Sequence, residues 1–166
     1  MEDFLLAYKD KFYRFALRLT GNGYDAEDIM QELAIKIWKK GEDFEKLDNK
    51  EAWCMSVTRN MAIDKIRHNN IRRYENIETV YNVSSNTKNP EKQLESSDIM
   101  QGIKDLINKM PEKYKTVIQL REIEEMTYKE IAKIMNIELD KVKIYIFRAR
   151  KMLQKMIVKA NLKVQY

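Results

Sequence analysis

Residues 125–151 read EMTYKEIAKIMNIELDKVKIYIFRARK and contain two short amphipathic patterns on either side of Asn136. Thr127, followed three residues later by Glu130, has the spacing of a capping box, so we predict that a helix begins there. Asn tolerates the left-handed conformation that ends a helix in a tight turn. The second pattern begins near residues 138–140. This stretch therefore predicts two helices joined by a tight turn.

The second of these helices has two different faces at 100° per residue. One face carries the apolar residues that packing requires, Val142, Ile146, Ala149 and Leu153, and the opposite face carries Lys141, Ile144, Arg148 and Lys151. Two helices joined by a tight turn, with basic residues near the start of the second, are typical of a helix-turn-helix whose second helix enters the DNA major groove. The residues predicted to meet base edges are Lys141, Ile144, Tyr145 and Arg148, with Lys143, Arg150 and Lys151 nearer the phosphates. A helical hairpin with a solvated basic face is the alternative.

Charge is distributed unevenly along the chain. Residues 111–166 carry 13 basic and 7 acidic side chains, whereas residues 1–75 carry 14 of each. A basic C-terminal part beside a neutral N-terminal part indicates that the two parts meet different partners. A Lys-rich helical surface that only improves solubility is the alternative.

The composition offers little for catalysis or metal binding. Cys54 and His68 are the single cysteine and the single histidine of the 166 residues, so neither a zinc site nor a catalytic triad has enough members. No run approaches the roughly 20 apolar residues of a membrane span, and the acidic N-terminus does not resemble a signal peptide. We expect a cytoplasmic protein that is not an enzyme and that holds no cofactor or metal.

Helical periodicity dominates, and the fold class is predicted to be all-α. Glycine and proline are scarce, four and two, and alternation of apolar and polar residues is almost absent. The N-terminal part predicts helices over residues 2–19, 25–40 and 50–74, with a polar loop, GEDFEKLDN, at residues 41–49. The C-terminal part predicts a helix ending near residue 109 and another that begins at Pro111, with Tyr114, Val117, Ile118, Leu120 and Ile123 inward.

Helical periodicity is lost from residue 76 to Asn89-Pro90, where polar residues prevail. This segment predicts a linker, with Pro90 as the first residue of the next helix. We therefore expect two small helical domains, 1–75 and 91–166, joined by a flexible linker, 76–90, with the helix-turn-helix in the second. About 20 extended residues reach roughly 70 Å, so the two domains can contact distant parts of one target.

Two stretches resemble bacterial sigma factors of the sigma-70 family. MPEKYKTVIQLREIEEMTYKEIAKIMNIELDKVKIYIFRARKML, residues 110–153, is similar to their fourth conserved region, and DAEDIMQELAIKIWKK with EAWCMSVTRNMAIDKIRHNNIRR, residues 25–40 and 51–73, resembles their second. The chain is identified as a member of the extracytoplasmic-function group, which keeps only these two domains. No third-region domain and no acidic N-terminal extension fit around the motifs, which disfavours a housekeeping sigma factor.

The resemblance implies a subunit of RNA polymerase that selects promoters and helps melt the minus-10 element. Its partners are the beta-prime and beta subunits of core polymerase and promoter DNA. The second helix docks on the clamp helices of beta-prime, and the matching positions are Asp28, Gln31, Glu32 and Lys36. An ordinary solvated face is the alternative for these four. The resemblance also implies an anti-sigma factor, in some relatives at the membrane, that holds the chain inactive.

For promoter DNA, the resemblance assigns the minus-10 element to the 41–49 loop and the third helix, and the minus-35 element to the helix-turn-helix. A flipped minus-10 base would be read by Asn60, among others, and backbone charge would come from Arg59, Lys65, Arg67, Arg72 and Arg73. Trp53 is predicted to pack in the core, and Asp64 to orient Arg67 through an i,i+3 pair.

The recognition helix departs from many relatives, which have Thr, Ser and Arg where this chain has Lys141, Ile144 and Tyr145. Its minus-35 preference therefore cannot be copied from them. Ile144 suits a thymine methyl, and Asp140 either accepts from a cytosine amino group or favours the helix dipole. Two other functions stay open on sequence alone: a conventional helix-turn-helix regulator and a helical interaction adaptor.

Overall fold

The computed structural model describes residues 2–76 and 95–160, with side chains over residues 3–71 and 99–160. Most residues in these ranges are helical and none of them forms a strand, which confirms the predicted all-α class. The helices are α1 Glu2–Thr20, α2 Gly23–Lys40, α3 Glu42–Glu45, α4 Lys50–Asn76, α5 Glu95–Asn108, α6 Glu112–Ile118, α7 Tyr128–Met135 and α8 Leu139–Lys159, with a π-helical turn at Gln119–Ile123 between α6 and α7.

The N-terminal half packs α1, α2 and α4 against one another. Its buried side chains recur at helical spacing: Phe12, Phe15 and Ala16 on α1, Ala26, Ile29, Leu33 and Ile37 on α2, and Met55 and Ala62 on α4. The Asn22 side chain accepts from the Tyr24 N–H and caps α2, and Gly41 ends α2 with φ 53°. A positive φ there favours glycine because it has no Cβ.

The predicted loop at residues 41–49 is wrong in part, because α3 lies within it. Phe44 is fully buried, and its ring meets Phe4 and Trp53 edge-on at 5.5 and 5.7 Å between ring centroids. Most residues of the segment are polar, so the sequence did not indicate that Phe44 would be buried. Burial of a Phe side chain contributes about 2–3 kcal/mol and is enough to fix a single helical turn against the core.

The helix-turn-helix is confirmed in the C-terminal half. Thr127 and Glu130 form the capping box at the start of α7, and Asn136 ends α7 with φ 52° and ψ 53°, the left-handed conformation. On α8 the predicted inward residues Val142, Ile146 and Ala149 are buried, and Leu153 is partly buried. The turn holds α8 across α7 and α6.

The prediction that Ile123 faces inward is wrong, since its side chain is 43% exposed. The cause is the π-helical turn, in which the Glu124 N–H donates to the Gln119 carbonyl over five residues at 3.0 Å. One extra residue in the turn rotates the residues after it out of the α-helical phase. The other four residues predicted inward on this segment, Tyr114, Val117, Ile118 and Leu120, are buried.

The two halves pack against each other, α7 on α4 and α6 on α1. The predicted linker residues from 77 onward and the predicted helix start at Asn89-Pro90 lie outside the described residues. The described part of α5 begins at Glu95, and the helix ends at Asn108, one residue before the predicted end.

Candidate polymerase and nucleic-acid interfaces

The outer face of α8 presents the predicted DNA-contacting stripe. Lys141, Ile144, Arg148 and Lys151 are all exposed, opposite the buried Val142, Ile146 and Ala149. Phe147, which is not among the predicted DNA-contacting residues, is 66% exposed on the same face. Its place between Ile144 and Lys151 in the helical repeat was a signal available from the sequence. The face therefore combines cations for phosphates with apolar groups suited to thymine methyls.

Tyr145 lies to one side of this stripe. Its ring is partly buried and meets Tyr114 edge-on at 5.8 Å between ring centroids, with the Lys113 ammonium over both rings. Lys143, predicted near phosphates, is exposed, and its ammonium lies 2.9 Å from the Asp140 carboxylate in the first turn. Base contact by Tyr145 and phosphate contact by Lys143 stay predictions.

On α2, the predicted polymerase-binding residues Asp28, Gln31, Glu32 and Lys36 are all exposed. The Asp28 carboxylate accepts from the Lys65 ammonium of α4 at 3.0 Å, which brings a predicted polymerase contact and a predicted DNA contact together. Two large apolar side chains that sequence reasoning left out, Ile35 and Trp38, are exposed on the same helix, Trp38 by 74%. An exposed Trp beside exposed polar groups is typical of a protein interface.

An open depression lies between the last two turns of α2 and the first half of α4. Its lining is Lys36, Lys39, Lys40, Trp53, Val57, Asn60, Met61 and Asp64. Asn60 is exposed at its edge. Trp53 packs edge-on against the buried Phe44, as predicted, and the Lys40 ammonium lies over its ring at 5.6 Å from the ring centroid. A basic rim, an amide and an aromatic wall suit a nucleotide base with its phosphates.

The remaining cations predicted on α4 divide into three groups. Arg67 is exposed and lies 3.9 Å from Asp64, the predicted i,i+3 pair. Arg59 is turned toward the C-terminal half, where its guanidinium meets Glu112 at 3.2 Å. The side chains of Arg72 and Arg73 lie outside the described residues, although α4 extends past both.

The described ranges offer no group of side chains that is arranged to bind a metal. Over residues 3–71 and 99–160 no three of His, Cys, Asp and Glu converge as metal ligands. Burial raises the pKa of the Cys54 thiol to about 12, so this thiol is a core side chain and not a nucleophile. Among the helices of the described part, none has the length and apolar character to cross a membrane.

Comparison with known protein families identifies the family of this chain. Residues 4–71 match the family described as Sigma-70 region 2, and residues 100–153 match Sigma-70, region 4. The ECF RNA polymerase sigma factor SigW of Bacillus subtilis is 34% identical over 161 residues, covering 92% of this chain and 86% of SigW. The chain belongs to the ECF group of sigma-70 factors. It is a non-catalytic transcription initiation factor that directs RNA polymerase to promoters.

Other relatives and two solved structures agree. The sigma factor SigV of Bacillus subtilis is 30% identical over 93% of this chain and 89% of its own length. The sigma factor RpoE of Bartonella quintana, solved with the anti-sigma factor NepR, has the same fold, with TM-score 0.75, 24% identity, and coverage of 95% of this chain and 98% of that one. CnrH, solved with the cytosolic domain of CnrY, gives TM-score 0.65 at 17% identity over 95% of this sigma factor and 87% of CnrH.

Proposed function

We propose that this sigma factor divides its work between two helical domains, residues 1–75 for core polymerase and the minus-10 element, and residues 91–166 for the minus-35 element. The observation that supports the division is that the exposed polar face of α2 and the exposed stripe of α8 are separate surfaces in the two family matches. In each case one face of the helix is buried in the core, so the exposed face is free to bind a partner.

The α2 surface docks on the beta-prime clamp helices through Asp28, Gln31, Glu32 and Lys36. Trp38 and Ile35 add apolar area that a solvated helix does not need. The depression beside Asn60 receives an extruded minus-10 base, and Lys65 and Arg67 hold the strand's phosphates, with Arg59, Arg72 and Arg73 extending this positive surface. Extruding a base costs a few kcal/mol, and hydrogen bonds and stacking in the pocket offset that cost. Melting is therefore capture of transiently open bases, and it needs no bond chemistry.

The α8 surface reads the minus-35 duplex from the major groove. Arg148, Lys141 and Ile144 address base edges, Phe147 joins Ile144 against thymine methyls, and Lys151 and Lys143 approach phosphates. Two weak contacts joined through polymerase gain from effective concentration, so the chain alone binds DNA poorly and polymerase makes it specific.

In vitro transcription with purified core polymerase across a promoter library tests the proposal. The expected result is a set of promoters that core polymerase uses only when the chain is added, sharing one minus-35 and one minus-10 sequence at fixed spacing. Gel filtration supplies the prior step, a complex of the chain with core polymerase. Transcripts that start at the same promoters with and without the chain would contradict the proposal.

The chain works in the cytoplasm, and an anti-sigma factor covers it when its promoters are silent. The similarity to RpoE and CnrH, each solved with a second protein, motivates this part of the proposal. Fractionation of growing cells tests it. Recovery of the chain only as a free monomer and in polymerase, under every condition tried, would argue against such a partner; recovery with membranes would place the partner there.

A further inference from the structure

The recognition helix α8 has two flanks between its buried face and its exposed stripe. Successive residues of an α-helix are turned by about 100°, so Tyr145, one step after Ile144, lies on one flank, and Lys143, one step before it, lies on the other. Arg150 falls on the same flank as Lys143. An α-helix with its side chains is about 10–12 Å across, and the major groove is about 12 Å wide. The two flanks are therefore the parts of α8 that face the sugar-phosphate strands on either side of the groove.

The cations on the Lys143 flank are shared with carboxylates. The Lys143 ammonium lies 2.9 Å from the Asp140 carboxylate, and the Arg150 guanidinium lies 2.6 Å from the Glu122 carboxylate. A carboxylate that pairs with a cation competes with a DNA phosphate for it. Contacts from this flank therefore bring only part of their positive charge to the DNA.

The Tyr145 flank carries a cation that comes from another helix. Lys113, in the first turn of α6, is exposed, and its ammonium lies 5.1 Å from the Tyr114 ring centroid and 5.5 Å from that of Tyr145. Tyr114 is buried and Tyr145 is partly buried, so core packing restricts both rings. An ammonium within about 6 Å of a ring centroid is attracted to the face of the ring. The two tyrosines therefore hold the Lys113 ammonium beside α8.

The positive charge of Lys113 is not shared with a carboxylate. Over residues 3–71 and 99–160 Lys113 forms no ion pair, and its neighbour Glu112 pairs instead with Arg59 at 3.2 Å and accepts from the Thr116 hydroxyl at 3.1 Å. An aromatic ring is neutral, so the full charge of the ammonium stays available to a phosphate. A lysine side chain loses entropy when a phosphate orders it, and rings that already hold the ammonium reduce that loss.

We propose that Lys113 is a phosphate-binding residue for the minus-35 duplex, and that Tyr145 is a positioning residue that holds the Lys113 ammonium at the edge of the major groove. The proposal rests on the proposed function, since it takes α8 as the helix that enters the groove. It gives Tyr145 a role through its ring, in place of the base contact predicted from the sequence. Phosphate contacts fix the orientation of a protein on the duplex and do not read bases. Lys113 therefore sets how α8 lies in the groove, and Arg148 reads the sequence.

Lys113→Gln tests the phosphate contact, because it removes the charge of an exposed side chain and keeps much of its length. Fluorescence anisotropy at several salt concentrations measures the affinity of the polymerase complex for a promoter that the library returns. Each phosphate contact contributes about 0.9 to the slope of log affinity against log salt, so the slope should become shallower by about that amount. The loss of affinity should be equal on promoters with single minus-35 substitutions.

Lys104→Gln is the charge-matched control for Lys113→Gln. Lys104 is an exposed lysine of α5 that lines a groove beside Arg14 of α1, away from the exposed stripe of α8. Its loss removes the same charge from the same half of the chain but removes no proposed phosphate contact. The slope of Lys104→Gln should therefore equal that of the parent.

Tyr145→Phe and Tyr145→Leu separate a positioning ring from a base-reading hydroxyl. Phe keeps the ring, so both the slope and the sequence preference of the parent should be kept. Leu removes the ring, so the slope should become shallower, as in Lys113→Gln. Adding Tyr145→Leu to Lys113→Gln should change the slope no further, because the two residues act through one contact. A relaxed sequence preference in Tyr145→Phe, or a parent slope in folded Tyr145→Leu, overturns the positioning role.

A parent slope in Lys113→Gln, with an unchanged thermal midpoint by circular dichroism, overturns the phosphate contact. If Tyr145→Leu unfolds, Lys113→Gln and Tyr145→Phe still decide. If core polymerase with the parent chain uses no promoter of the library, the proposed function fails separately. The chain alone on a mixed-sequence duplex of about 20 base pairs at low salt then decides on Lys113, since phosphate contacts do not depend on sequence. Equal slopes for Lys113→Gln and Lys104→Gln on that duplex overturn the proposal, and a shallower slope for Lys113→Gln alone supports it.

Discussion

Arg150 and Glu122 form a two-pronged pair between the recognition helix and the π-helical turn: the Arg150 Nε and Nη2 both donate to one Glu122 oxygen, at 2.9 and 2.6 Å. Hydrogen bonding to Glu122 raises the pKa of Arg150. Two residues earlier, Arg148 is exposed and has no ion-pair partner within the described ranges. Two arginines of one helix thus differ in what they are free to contact.

This difference gives a matched pair of variants for minus-35 recognition. Arg148→Ala is expected to weaken binding of the polymerase complex to its minus-35 element by about 1–3 kcal/mol and to relax the sequence preference there. Arg150→Ala removes the same charge, but the Arg150 side chain is already bonded to Glu122 and is less available to the bases. The sequence preference at the minus-35 element should therefore be kept. Electrophoretic mobility assays on promoters with single substitutions measure both. Equal relaxation in the two variants would remove Arg148 as a base reader.

The proposed polymerase contact on α2 gives a second prediction. Gln31→Ala is expected to weaken the binding free energy for core polymerase by about 1 kcal/mol or more. The reason is that an exposed side chain at the centre of the proposed contact surface no longer reaches its partner. Lys9→Ala, on exposed α1, is the control and should change little. Fluorescence anisotropy with labelled chain gives both constants. Loss of polymerase binding together with loss of minus-35 binding in Gln31→Ala would indicate unfolding instead.

The sequence predicted the helix-turn-helix well because its determinants are local. A capping box, a left-handed Asn136 and a repeat of apolar residues on α8 each act within a few residues, and all three are confirmed. The prediction failed for α3 and Ile123, where the outcome depends on tertiary packing. Phe44 finds its place only when Phe4 and Trp53 meet it, and the π-helical turn places Glu124 where Arg18 and Lys11 bind it.

The residues of the candidate sites also fall into a part that the sequence could predict and a part that it could not. Exposure of Lys141, Arg148 and Gln31 follows from helical phase, which the sequence contains. The pairs Arg59–Glu112 and Asn49–Glu130 span 53 and 81 residues, and no periodicity links their members. Such long-range pairs could not be predicted from the sequence, and they join the N-terminal half to the C-terminal half.

Core packing of the recognition helix predicts a large loss for one substitution. Val142→Asp places a carboxylate at a fully buried position and is expected to cost more than about 3 kcal/mol, since a buried unpaired charge is far costlier than a lost methyl contact. Ile144→Asp, on the exposed stripe of the same helix, should leave the thermal midpoint nearly unchanged. Circular dichroism during heating measures both. Survival of minus-35 binding after Val142→Asp would refute the assignment of faces on α8.

Acid should weaken the start of α7 through Glu130. Hydrogen bonds from the Thr127 N–H and hydroxyl, with a further one from Asn49, lower the pKa of the Glu130 carboxyl below its ordinary 4.5. The folded-state pKa lies below the unfolded value, so this stabilisation is complete above about pH 4.5 and is lost as the pH falls through the folded pKa.

Glu130→Gln still offers one acceptor oxygen to the capping box and should lower the free energy of unfolding at pH 7 by about 1 kcal/mol. Urea unfolding of both proteins between pH 7 and pH 3 measures the difference, which should shrink toward pH 3 because the protonated Glu130 resembles Gln. A constant difference over the whole range would show that the carboxylate charge contributes nothing there.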